Sequence, residues 1–199
     1  PAVFLVNLDE LNGREVPKTW DDILSPEFED SVAVPMGDLD LFNALVVNLY
    51  KEYGMDGITR LARSYKKSLH PAQMVKAKSK GKSENPAVSI IPYFFTQMIQ
   101  GNNQVAVWPE DGAVISPIFM IAKKDKKEKT QPIIDFFMSE AVGKVFSANG
   151  KFPSTNKLVD NGLSPDQKFK WVGWDFIENT DIGALLRDLE AKFNEDILK

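Results

Sequence analysis

The 199-residue chain is predicted to be an α/β protein whose mixed sheet is flanked by helices. Three observations carry that prediction. Short apolar runs recur at Val3–Val6, Val32–Val34, Val88–Ile91, Val105–Trp108 and Ala113–Ala122. Longer stretches between them repeat their apolar residues at helical spacing. Polar groups gather where the runs end, above all in Pro92–Pro117, which reads as short aromatic helix, Gly/Asn loop, strand, turn and strand. Strands alternating with helices define the class, and such sheets place ligands where strands end.

Each element has its own warrant. Thr19 and Asp22 have capping-box spacing around the turn Trp20–Leu24, which Ser25-Pro26 ends. Pro35 stops the buried strand Val32–Val34. Asp38 then caps a helix with the apolar stripe Leu39, Phe42, Leu45, Val46, Leu49 and Tyr53, closed by Gly54. Ile58, Leu61, Ala62 and Tyr65 mark a second helix, and a third runs from Pro71 to Gly81. Lys123–Lys129 is read as a solvated loop. Thr130 is expected to cap a helix with Pro132 in its first turn and Ile133, Ile134, Phe136 and Phe137 on its buried face. Ser139 opens a helix that ends at Gly150. Ile182, Leu185, Leu189, Phe193 and Ile197 make a C-terminal amphipathic helix. The helices over 39–53 and 130–149 are expected to pack on the sheet.

Composition narrows the function. An apolar fraction of 43% supports a core. A net charge of -4 and a pI near 5.2 argue against a nucleic-acid partner, whose phosphates need basic clusters. The absence of cysteine excludes thiol catalysis, disulfides and thiolate metal sites, and fits an extracytoplasmic protein. No apolar run reaches the roughly 18 residues needed to cross a bilayer. The chain opens at Pro1 directly on an apolar strand, with no charged leader. It is read as trimmed, with any localisation signal or lipid anchor removed. No cofactor is expected. No nucleophile with a positioned base appears, so an enzyme is not expected either.

Four segments carry a family resemblance. They are Val16–Leu24 (VPKTWDDIL), Pro26–Pro35 (PEFEDSVAVP), Thr130–Phe146 (TQPIIDFFMSEAVGKVF) and Gly150–Asn156 (GKFPSTN). In that order the chain resembles the later part of a bacterial ABC-transporter solute-binding protein, in the type 2 periplasmic-binding-protein group near the ferric-iron binders. Nothing in it corresponds to that family's first hundred or so residues. The resemblance implies two α/β lobes that close on a solute by hinge motion and present it to an ABC permease. It places a crossover strand in residues 1–15, the second lobe in 16–101, and return strands with C-terminal helices in 102–199. It implies an extracytoplasmic location. A transcription regulator's effector-sensing domain shares this topology and stands as the alternative.

Five residues are candidates for the solute site. The resemblance aligns Tyr93-Phe94-Phe95 with a pair of iron-ligating tyrosines. Only one phenol remains here, and ferric iron favours several anionic oxygens. Tyr93 is therefore a ligand contact or an aromatic packing the lobe. His70, the single histidine, is a ligand or pH-sensing group, or the cap of the helix at Pro71. Glu110 and Asp111 follow Trp108-Pro109 and either meet a cation or amine, or simply form the Pro-Glu-Asp-Gly turn. Asp38 lies at a helix N-terminus that could bind an anion, but as the cap it repels one. Trp171 and Trp174 are read as core, with sugar stacking the other possibility. Tyr93, Glu110 and Asp111 are expected to converge on one concave surface if the strands before them are parallel.

Overall fold

The computed structural model describes residues 1–76 and 85–199, with every side chain among them except that of Leu39. The chain divides into two compact units, one of residues 1–116 with 166–199 and one of residues 117–165.

The first unit is built on β1 (Ala2–Asn7), whose six residues are all buried. Its flanking strands are β2 (Val32–Val34), β3 (Tyr65–Ser68), β4 (Val88–Pro92), β5 (Gln104–Val107), β6 (Ala113–Val114) and β7 (Phe169–Lys170). The order is β3-β2-β4-β1-β6-β7, with β5 also paired to β1. β2 is parallel to β3 and β4, and β6 to β7, whereas β1 is antiparallel to β4, β5 and β6. The mixed sheet expected from the sequence is therefore present.

Period-two alternation splits β1 between two cores. Ala2, Phe4 and Val6 pack with Val32, Val34, Val88 and Ile90 under helices α1 (Trp20–Ile23), α2 (Leu39–Ser64) and α7 (Ile182–Asp196). Val3 and Leu5 face the other way, with Ala33, Ile91 and Ala113, toward α3 (Pro71–Met74). The predicted caps form. Thr19 and Asp22 close a capping box, and Asp38 accepts the Leu41 N–H. Gly54, with φ 65° and ψ -156°, breaks α2 into the two expected helices. A residue with a Cβ would be strained there. Phe42, Leu45, Val46 and Leu49 are buried, as are Leu189 and Phe193 of α7. Phe193 meets Phe42 and Tyr65 edge-on at 5.4 and 5.6 Å.

Some expectations fail. The strand Ala113–Ala122 stops at Val114. Ile115 still donates its N–H to Lys170, but Pro117 has none to give. The helix from Pro71 is ordered as α-helix only to Met74, and residues 77–84 of the predicted span lie outside the described ones. Trp174 is not core but exposed, in α6 (Trp174–Glu178).

The second unit holds α4 (Lys127–Phe137) and α5 (Glu140–Gly150). Ser139 caps α5, accepting the Val142 N–H, as expected. α4 begins earlier than predicted. Lys127, Glu128 and Lys129 are good helix formers, so part of the supposed loop is helical and Pro132 lies inside the helix. The Thr130 hydroxyl caps nothing and donates back to the Lys126 and Lys127 carbonyls. The expected buried face of α4 is also absent: Ile133, Phe136 and Phe137 are exposed, and no residue of α4 is buried. A unit this small has too little chain to cover its own apolar helix face.

Candidate functional site

Strand direction gathers the candidates at one end of the sheet. Pro92 at the end of β4 pairs with Ala2, Val107 at the end of β5 with Phe4, and Val114 of β6 with Ala2. β2 and β3 run with β4. All five strands thus finish beside the start of β1. Asp38 follows β2, His70 follows β3, Tyr93 follows β4, and Glu110 and Asp111 lie in the excursion between β5 and β6.

Sharing an end is not the same as converging. Tyr93 packs edge-on to Trp108 at 5.2 Å, and both join the core of Val3, Leu5 and Ile91. Trp108 in turn meets Phe169 at 5.4 Å and donates its indole N–H to the Lys168 carbonyl at 2.7 Å. Asp111 belongs to the opposite face. Both its carboxylate oxygens accept the Trp20 N–H at 3.3 Å, and Lys170 Nζ lies 3.1 Å from Oδ2. Lys170 also pairs with Glu52 of α2. Trp20 packs on Phe4 at 4.9 Å, on the far side from Tyr93. Glu110 donates its backbone N–H to the Lys18 carbonyl at 2.8 Å and leaves its side chain exposed. The structure thus brings Tyr93 and Trp108 together and turns Asp111 away from them.

The other two candidates cap helices. His70 Nδ1 accepts the Ala72 N–H at 3.2 Å, and the Gln73 side chain accepts the His70 N–H at 3.1 Å. The His70 ring meets Phe95 edge-on at 6.3 Å, which keeps it beside the aromatic turn after β4. Asp38 Oδ1 accepts the Leu41 N–H at 3.3 Å. Its charge offsets the positive end of α2, which leaves that end poor for an anion.

The excursion is closely held. The Trp20 indole donates to the Gly112 carbonyl at 2.8 Å, and a Cβ at Gly112, whose φ is +111°, would lie 3.0 Å from Phe169. Burial pushes the Tyr53 phenol above its ordinary pKa, and the charges of Glu52 and Asp111 push the same way. Among the described residues no three His, Asp or Glu side chains gather as a metal would require. The sequence reading passed over Trp108 and Lys170. Trp108 carried a signal, as the last aromatic before the strand-ending proline. Lys170 carried none, because its partners are far away in sequence.

The model of the bacterial extracellular solute-binding proteins matches residues 1–180. The chain belongs to that family. Among solved structures, this solute-binding protein is similar to the periplasmic binding protein AfuA from Actinobacillus pleuropneumoniae, with exogenous fructose-6-phosphate bound. Identity is 18%, the TM-score 0.61, and the match covers 98% of this chain and 66% of that one. It is similar to the apo ferric ion-binding protein A of Pasteurella haemolytica at 16% identity and TM-score 0.61, over 97% of this chain and 64% of that one. It is also similar to a two-component system protein that mediates signal transduction, at 14% identity and TM-score 0.64, over 95% and 66%. Such identities speak for the fold alone. The chain spans about two thirds of the length of these structures. No curated protein matches it significantly. The family is one of binding proteins for transport rather than enzymes. Among the described residues no helix is long and apolar enough to cross a membrane.

Proposed function

We propose that this solute-binding chain forms one wall of the cleft of an extracytoplasmic receptor, which hands a small solute to an ABC permease. The solute meets the sheet end where β2, β3, β4 and β5 finish, with Tyr93 and Trp108 as its first contacts. The observation that carries this reading is the common strand end, with the Tyr93–Trp108 ring pair seated on it. Strand ends are where open α/β sheets bind ligands. His70 and Glu110 flank the pair, while Asp111 holds the fold. The exposed apolar face of α4 fits a segment that packs on a second lobe.

One phenol followed by Phe94 and Phe95 favours an organic solute or a chelated iron over a bare ferric ion, which wants several anionic oxygens. Isotope-labelled chain titrated with ferric citrate, spermidine and fructose-6-phosphate tests the site. Amide shifts at Tyr93, Trp108 and His70 with one probe support it. Shifts that avoid all three strand ends overturn it. A second reading, that the same cleft senses a solute rather than delivering it, is favoured by the likeness to the signal-transduction protein. Capture of the permease by the solute-loaded receptor separates the two.

A further inference from the structure

Trp174 stands out of the fold at a position the sequence assigns to the core. The residue is 65% exposed. It is not loosely held. Trp171, which packs on the core, meets it edge-on at 5.1 Å and 89°. Between them Val172 is buried, and its carbonyl accepts a hydrogen bond from Lys51 Nζ at 2.7 Å. The backbone that carries the indole is therefore pinned to α2. Beside it lies an open-sided cavity of about 640 Å³, lined among others by Lys51, Gly173, Trp174, Asp175, Asn179 and Thr180. That volume lies in the range of small-molecule sites.

We propose that this cavity binds a neutral hexopyranose ring stacked on Trp174. A pyranose presents one face of C–H groups and a rim of hydroxyls. The indole is a flat apolar surface for the first. The Asp175 carboxylate accepts hydrogen bonds, and the Thr180 hydroxyl both donates and accepts, which suits the second. Asn179 donates its side-chain N–H to the Asp175 carbonyl at 2.8 Å, which orients the amide and leaves its oxygen as an acceptor. Lys51 and Asp175 offset one another, so the lining selects for neither an anion nor a cation. The site is distinct from the solute wall. Val172 packs in the core under α2, whereas Tyr93 and Trp108 pack on the other face of the sheet. The inference therefore does not rest on the proposed transport function.

Saturation-transfer NMR on the folded chain, with D-glucose, D-galactose, N-acetylglucosamine and maltose as probes, tests it. At least one probe should receive saturation. Trp174→Ala should weaken its binding roughly tenfold, the scale of one lost aromatic contact. Trp174→Phe should keep part of it, and both variants should melt close to wild type because the ring is exposed. Asn179→Ala should weaken binding with only a small drop in melting, from the loss of one exposed hydrogen bond. The proposal is overturned if none of the four sugars binds. It is equally overturned if binding survives Trp174→Ala unchanged, or if the sugar shifts the amides of Tyr93 and Trp108 instead.

Discussion

Asp111 accepts the backbone N–H of Trp20 through both carboxylate oxygens, each at 3.3 Å. With Lys170 at 3.1 Å on its other side, it ties the turn after β5 to α1 and to β7. The Asp111 and Lys170 side chains are 26% and 13% exposed, so solvent screens the pair only in part. Asp111→Ala removes the acceptor and leaves the Trp20 N–H short of a partner. Urea denaturation should show a loss of about 1–3 kcal/mol, the cost of leaving a buried donor unsatisfied. An unchanged midpoint would return Asp111 to the list of free ligand groups.

Trp20 itself supports a second prediction. Its side chain is fully buried, edge-on to Phe4, with the indole N–H on the Gly112 carbonyl. Trp20→Phe keeps most of the packing and strips the hydrogen bond. It should cost about 1–3 kcal/mol, and Trp20→Ala about 3–5 kcal/mol through the added cavity. Similar losses in the two variants would mean that the hydrogen bond, not the ring, matters at this position.

The different fates of these residues show what the sequence could convey. Local signals came through. The capping box at Thr19, the Asp38 cap, the break at Gly54 and the strands Val32–Val34 and Val88–Ile91 all depend on neighbours a few residues away. The shared strand end of Tyr93 and Glu110 was legible only as a condition on strand direction, which pairing with β1 fulfils. The face on which Asp111 would fall was not legible. It depends on Trp20 and Lys170, which reach it across long stretches of chain. The exposure of Phe136 and Phe137 was hidden for another reason. An apolar helical stripe says that a face will be covered, not that the covering element lies in the same chain segment.

Gly112 is a third test of the turn. At φ +111° a side chain is strained, and its Cβ would press on the Phe169 backbone at 3.0 Å. That backbone is fixed by its pairing with Ala113. Gly112→Ala should therefore lower stability by about 1–3 kcal/mol. A stable variant whose melting curve overlays wild type would show that β7 can shift to make room.

Acid should loosen the contact between α2 and α7. The Asp196 carboxyl is held well below its ordinary pKa, first by hydrogen bonds from Lys192, then by those from Lys199 and Thr59. A folded-state pKa below the unfolded one adds stability above the unfolded value, near 3.9, and loses it as pH falls toward the folded one. Melting followed from pH 6 downward, about two units above that value, should show a decline below about pH 4 that Asp196→Asn flattens. An acid limb unchanged in Asp196→Asn would assign the decline to other carboxylates.

The proposed solute wall makes its sharpest prediction as a contrast between two residues at one sheet end. Tyr93→Phe removes a hydroxyl and keeps the ring against Trp108. Its stability cost should stay within about 1 kcal/mol, the net worth of an ordinary hydrogen bond. Solute binding should fall about tenfold, because a buried polar contact to ligand is lost without replacement. Asp111→Asn should do the reverse. It weakens the tie to Lys170 on the opposite face, and so lowers the melting point while leaving the amide shifts caused by the bound probe at Tyr93 and Trp108 intact. Both quantities can be read from one set of samples, by thermal melting and by probe titration. If Asp111→Asn abolishes binding at unchanged stability while Tyr93→Phe does nothing, the solute lies on the α2 face of the sheet, and the wall has been assigned to the wrong side.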